Sequence, residues 1–262
     1  MSNTPQTPEK QADHSIDTAT GQEAPAEISS ARVKKIFTDI AWKYERFNKL
    51  SSFGQYRSWL RTLIDKSPIT SETLMLDIAG GTGDVTFTAC ERKQPKHIIL
   101  SDYTPAMLEV AQSRLDAGEA NGIPVELAVV DGQDIPYEDG SFDIITMSYG
   151  IRNMPERERA LSEMYRVLKP GGLLILETIF ADRPRNDEVV EQARAMGNSV
   201  QAARTQEENY AWLEAAGFAT PSIEEEYEVE ADRGYKAGSK VAKVEGDDDV
   251  KYKAVSLYIR KK

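Results

Sequence analysis

The segment Leu74-Met-Leu-Asp-Ile-Ala-Gly-Gly-Thr-Gly-Asp-Val-Thr86 constrains the fold more than any other part of the chain. A short apolar run enters three glycines within four positions, and a helical pattern follows at once. An apolar run of that length, bounded by glycine, reads as a buried strand. The glycines permit positive φ angles and let backbone N–H groups come close to a ligand. Strand, glycine turn and helix in that order put a ligand crevice beyond the carboxyl end of the strand.

The same rhythm recurs downstream. Apolar runs at 74–78, 97–101, 125–130, 142–147 and 173–178 alternate with helical patterns at 105–118 and 156–168. Near-continuous apolar strands separated by helices predict an α/β fold, a doubly wound and mostly parallel Rossmann-like sheet covered on both faces. Beyond 180 come a charged helical stretch, a helix at 206–216 stopped by Gly217, and two β-like segments at 223–229 and 252–259 that could pair as a hairpin. Upstream, Val33, Ile36, Phe37, Ile40 and Tyr44 recur at helical spacing, as do Trp59, Leu60, Leu63 and Ile64 within 55–65, predicting an N-terminal helical layer. Residues 1–30 carry almost no large apolar side chains to offset the entropy of ordering and read as a disordered tail. The expected organisation is that tail followed by one domain, 31–262, with a helical cap (31–67), a core (68–180) and a variable part with the hairpin (181–262).

Charge narrows the partners. With 43 acidic against 32 basic residues the net charge is −11, which repels phosphate backbones and argues against nucleic acid. The single cysteine, Cys90, forms no internal disulfide and reads as a small core residue. No leader pattern opens the sequence and no apolar run nears the roughly 20 residues of a bilayer span, so a cytoplasmic protein not integral to a membrane is expected.

At the glycine turn, the dinucleotide pattern G-x-G-x-x-G would need a third glycine where Thr86 stands. Asp77 and Asp84 flank the turn, and fixed carboxylates suit the ammonium of S-adenosylmethionine better than a pyrophosphate. Asp102 closes the second apolar run about 20 residues on, where an acid can accept from ribose hydroxyls. Asp131-Gly132 closes the third, beside the expected adenine, and Ser148 closes the fourth. The candidate cofactor ligands are therefore Asp77, Gly80, Gly81, Thr82, Gly83, Asp102, Asp131, Gly132 and Ser148, with no metal. Asp102 could instead be a turn former, and Thr82 a turn hydroxyl bonded to its own backbone. Asp143 and Lys169-Pro-Gly-Gly172 read as structural.

These motifs together resemble the ubiquinone/menaquinone biosynthesis C-methyltransferase family of the class I methyltransferases. The resemblance spans about residues 33–178 and rests on Ile36-Phe-Thr-Asp-Ile-Ala-Trp-Lys-Tyr44, Leu50-Ser-Ser-Phe-Gly54, the glycine segment, Ser148-Tyr-Gly-Ile-Arg-Asn153 and Tyr165-Arg-Val-Leu-Lys-Pro-Gly-Gly172. It implies S-adenosylmethionine held by Thr82, Asp102, Asp131-Gly132 and Ser148, and a seven-stranded sheet ending in an antiparallel hairpin. It also implies a small-molecule acceptor, a lipid quinol met at a membrane surface. After Phe180 the chain departs from the family pattern, with a short charged stretch in place of a longer aromatic insertion.

Methylating a ring carbon requires an oriented, deprotonated hydroquinone. His14 lies in the tail and His97 opens a buried strand, which leaves Arg152 to stabilise a developing phenolate and Tyr44 to position it. Either could be structural instead, Tyr44 as core and Arg152 as a surface ion pair. Methylation of another small molecule and noncatalytic binding of an adenosyl ligand are the rival readings.

Overall fold

The computed structural model describes Thr38 and residues 56–195, 198, 200–230 and 249–262. The tail, the helix expected over 33–44 with Tyr44 apart from the helical Thr38, and the 50–54 motif lie outside the described residues. Helix α1 (Tyr56–Lys66) leads into β1 (Leu74–Asp77), α2 (Asp84–Arg92), β2 (His97–Asp102), α3 (Pro105–Asp116), β3 (Val125–Val129) and β4 (Phe142–Ser148). Then follow α4 (Arg157–Val167), β5 (Leu168–Ala181), α5 (Asp187–Ala195), β6 (Arg204–Thr205), α6 (Gln206–Ala215), β7 (Ser222–Val229) and β8 (Tyr252–Arg260).

The sheet order is β3-β2-β1-β4-β5-β8-β7, with the two-residue β6 beside the end of β5. Strands β1 to β5 run parallel, and β8 lies antiparallel between β5 and β7. The seven long strands and the terminal hairpin are those read from the sequence; β6 adds an eighth. The chain winds outward from β1 to β3 and returns on the other side with β4, so a crevice opens at the carboxyl ends of β1 and β4.

Alternation along the strands divides the core. Leu76, Ile145 and Leu174 face α4 and α6 with Leu161, Met164, Leu213 and Phe218, while Met75, Ile144 and Ile175 face α1 and α2 with Leu63, Ile64 and Val85. Successive side chains of a strand point to opposite faces, so a central strand must be apolar on both. Cys90 is wholly buried in the second layer, and desolvation pushes its thiol up to about 12, which suits a packing residue.

Strand β5 is longer than its apolar run because Lys169-Pro-Gly-Gly172 is carried into the sheet. The pairing slips between Phe142↔Leu168 and Ile144↔Leu173, and Gly171, at φ 72°, donates its N–H to Lys261 O at 3.2 Å. Asp143 clamps the same end, accepting from Leu74 N at 2.9 Å and Lys169 Nζ at 2.8 Å. Helix α6 starts on a capping box between Thr205 and Glu208. Because Leu76 has no exposed surface at the centre of β1, Leu76→Ala is expected to cost about 2–5 kcal/mol in urea unfolding.

Candidate active site

The glycine turn is shaped from beneath. Ala79, Gly81 and Gly83 take φ of 52°, 58° and 89°, and Gly83 begins α2. A Cβ on Gly80 would sit 2.4 Å from Leu100 Cδ1 and 2.7 Å from Asp77 Oδ2, so a side chain there would displace those buried groups. Asp77 has no exposed surface and accepts from Thr86 Oγ1 and Thr146 Oγ1, both at 2.7 Å. Burial outweighs those hydrogen bonds and pushes its pKa up to about 6. Asp84 is ion-paired with Arg114 at 2.8 Å, and Arg114 also donates to Thr82 O at 3.0 Å. Both acids thus have protein partners that hold the turn in shape, Asp77 with no exposed surface and Asp84 in an ion pair.

A cleft opens above the turn and encloses about 840 Å³ when the open solvent at its mouth is included. Among the expected ligands, Gly81, Asp102, Asp131, Gly132 and Ser148 line it. Asp77, Gly80, Thr82 and Gly83 underlie it. Asp102 accepts from Gly81 N at 2.9 Å and Thr104 N at 2.8 Å, tying the glycine turn to the end of β2, and burial raises its pKa against those two donors. The turn-former reading thus holds for this carboxylate, yet each oxygen keeps a lone pair for a ligand in the cleft. Asp131 accepts from Gln133 N at 2.9 Å, and a Cβ on Gly132 would meet Met154 Cε at 2.6 Å, which leaves backbone at that wall. Thr82 Oγ1 is buried with no protein hydrogen-bond partner, so this loop has a donor to give to a bound group. Among the described residues no cluster of His, Cys, Asp and Glu could hold a metal.

Arg152 is 4% exposed in a 3₁₀ turn, Ile151–Asn153, and does not line the cleft; its guanidinium lies 5.0 Å from the centroid of the Tyr149 ring. Tyr149, which does line it, takes φ 58° and bonds through its hydroxyl to Tyr227 at 2.5 Å. Tyr227 in turn stacks on Trp59 at 4.1 Å, so α1 and β7 together brace this wall.

Sequence reasoning missed Glu177. Ser148, Glu177 and Ser256 are cross-strand neighbours on β4, β5 and β8, and Ser148 Oγ donates to Glu177 Oε2 at 2.5 Å. Burial pushes the Glu177 carboxyl up to about 7 despite hydrogen bonds from Ser148 and Ser256, with Glu225 and Asp77 adding repulsion. The available signal was one acid inside the otherwise apolar Leu-Leu-Ile-Leu-Glu-Thr-Ile-Phe180 run.

The sheet order, with a glycine turn at its switch point, is that of the Rossmann-like class I S-adenosylmethionine methyltransferases. The fold matches YcgJ from Bacillus subtilis with a TM-score of 0.62 at 21% identity, over 78% of this chain and 97% of that one. It also matches an arsenic(III) S-adenosylmethionine methyltransferase from Chlamydomonas reinhardtii, with a TM-score of 0.59 at 22% identity over 78% and 73%. Within that class the chain belongs to the ubiE/COQ5 methyltransferase family, whose model matches residues 26–241. Proteins named ubiquinone/menaquinone biosynthesis C-methyltransferase UbiE are 40% identical over 157 residues in Francisella tularensis subsp. novicida, covering 59% of this chain and 62% of that one. In Hahella chejuensis the identity is 38% over 159 residues, covering 60% and 63%. The chain thus matches somewhat over three fifths of the length of these curated relatives.

Because the folded Glu177 pKa of about 7 lies above the ordinary 4.5, the folded chain keeps a proton that the unfolded chain releases across that window. Its contribution to stability is therefore present below about pH 4.5 and lost as pH rises through 7. Glu177→Gln, which cannot ionise, should gain about 1–3 kcal/mol over the parent at about pH 8 relative to about pH 5. Urea unfolding at both pH values measures this, and an equal difference at the two would contradict it.

Proposed function

We propose that the chain, with 31–262 as a single domain, transfers a methyl group from S-adenosylmethionine to a ring carbon of a demethylmenaquinol or related polyprenyl quinol. The observation that carries the reading is Asp102, which fastens the glycine turn while presenting its carboxylate to a cleft in a chain of this family. When bound, the cofactor supplies an electrophilic methyl on a sulfonium. Asp102 accepts from its ribose hydroxyls, Asp131 accepts from the adenine amine, and the Gly81 and Gly132 backbones allow close approach. The unpartnered Thr82 hydroxyl and the cleft-lining Ser148 fit the same group.

The acceptor ring must lose a hydroxyl proton before its carbon can attack. Ser148 Oγ gives the cleft a hydrogen-bonded path to Glu177, whose pKa of about 7 suits proton uptake. Arg152, buried against Tyr149, supplies positive potential for the phenolate, and Tyr44 is assigned to positioning it. No described helix is long and apolar enough to cross a membrane, which fits a cytoplasmic enzyme meeting its lipid acceptor at the membrane surface.

Two outcomes test this. Asp102→Ala should weaken S-adenosylhomocysteine binding by about 1–3 kcal/mol in calorimetry, the typical cost of unpaired ligand groups. Supplied with S-adenosylmethionine and reduced demethylmenaquinone or polyprenyl benzoquinol analogues, the protein should yield methylated quinones by mass spectrometry. Cofactor binding without transfer to any of them would shift the reading to another small-molecule acceptor, which the departure after Phe180 favours. No binding of either adenosyl ligand would overturn the methyltransferase reading itself.

A further inference from the structure

In a chain of net charge −11, cations gather at one place, the carboxyl ends of β4, β5 and β6. Arg157 opens α4 just past Asn153, Met154 and Pro155, which line the cleft. Arg194 stands in the last turn of α5, and Arg204 on β6 pairs beside Phe180 of β5. Arg194 is 7% exposed and the Arg204 side chain 13%.

Their acids are unevenly shared. Arg204 meets Asp187 at 2.6 Å and Glu208 at 3.5 Å, and Arg194 meets Glu191. Among the described residues Arg157 has no carboxylate in an ion pair: Nη2 donates to Arg152 O at 3.3 Å and the guanidinium lies 5.3 Å from the Trp212 ring centroid. Burial, and then the like charges of Arg204 and Arg194, lower the Arg157 pKa to about 10 despite Glu191 and Glu208. Arg157 Nε, Arg194 Nη1 and Arg204 Nε are buried donors without acceptors. The Thr178 hydroxyl is also buried and unpartnered, on the β5 face that Leu174, Leu176 and Phe180 present to α4 and α6. Buried guanidinium N–H groups without acceptors are costly, and the amino end of α4, an 11-residue helix with no side-chain cap, adds its own positive potential. The charges of Arg157, Arg194 and Arg204 act on one another, so one anion among them would meet their free N–H groups, and planar guanidinium forks suit oxyanions.

We propose that Arg157, Arg194 and Arg204 form a binding site for an oxyanion, a carboxylate or phosphate group, next to the wall of the cleft. The site does not depend on the transfer reaction proposed above. An acidic group carried by the acceptor and a free anion share this chemistry, and the probes separate them.

The full chain is titrated calorimetrically with inorganic phosphate, acetate and benzoate at constant ionic strength in chloride, without methyl donor. Saturable binding of phosphate or a carboxylate is expected, together with a raised melting temperature. Benzoate binding tighter than acetate would mark an anion borne on a ring, and phosphate alone a free anion. Arg157→Gln and Arg204→Gln should each weaken binding about tenfold or more. Arg157→Gln should melt no lower than the parent when phosphate is absent, because it removes an uncompensated charge. Arg157→Lys should recover only part of the affinity. Absence of saturable binding to the parent chain, or equal affinities in parent and variants, would overturn the proposal. A melting temperature that drops in Arg157→Gln with no response to phosphate would make the arginines a structural network instead.

Discussion

A carboxylate removed from water is expensive unless its oxygens are satisfied, and Asp77 meets that condition through two threonine hydroxyls, one on α2 and one on β4. This small group joins the end of β1, the start of the following helix and the neighbouring strand at the place where the winding of the sheet reverses. The glycine turn rests on it: a Cβ at Gly80 would stand 2.7 Å from Asp77 Oδ2. Asp102 then secures the turn from the other side through Gly81 N. The cleft is preorganised because its floor is made of satisfied, buried polar groups and close-packed backbone.

The wall across β4 and β5 is built differently. Ser148 and Glu177 meet through strand pairing, and the Tyr149, Tyr227 and Trp59 contacts carry the wall outward to β7 and α1. Burial raises the pKa of both Asp77 and Glu177, with repulsion from Asp102 adding at Asp77 and from Glu225 and Asp77 adding at Glu177. Two such acids close to neutrality are a stability cost retained beside a cleft, as in sites where a protonation state is put to use.

Beyond the cleft wall the polar groups are less well matched. At the ends of β5 and β6 and the start of α4, three arginines leave buried guanidinium N–H groups without acceptors among the described residues. The segment after Phe180 supplies Arg194 and Arg204 to this region, while the start of α4 supplies Arg157.

By itself the sequence determined the parallel order of elements, the glycine turn and the strand-end positions of Asp102, Asp131 and Ser148, because these depend on side-chain period and on local turn chemistry. Only the tertiary structure decided what the polar side chains do. Asp77 reads as a ligand beside its glycines, yet Thr146, 69 positions away, takes one of its oxygens. Arg152 follows Ser148 closely in sequence, but its 3₁₀ turn buries it against Tyr149. Glu177 gains its raised pKa from burial inside the sheet, against the hydrogen bonds that strand register brings from Ser148 and Ser256, and the arginine group exists because β6 docks against the end of β5. Pairing between distant strands and the depth of burial arise only when the chain closes on itself, and no local pattern encodes them.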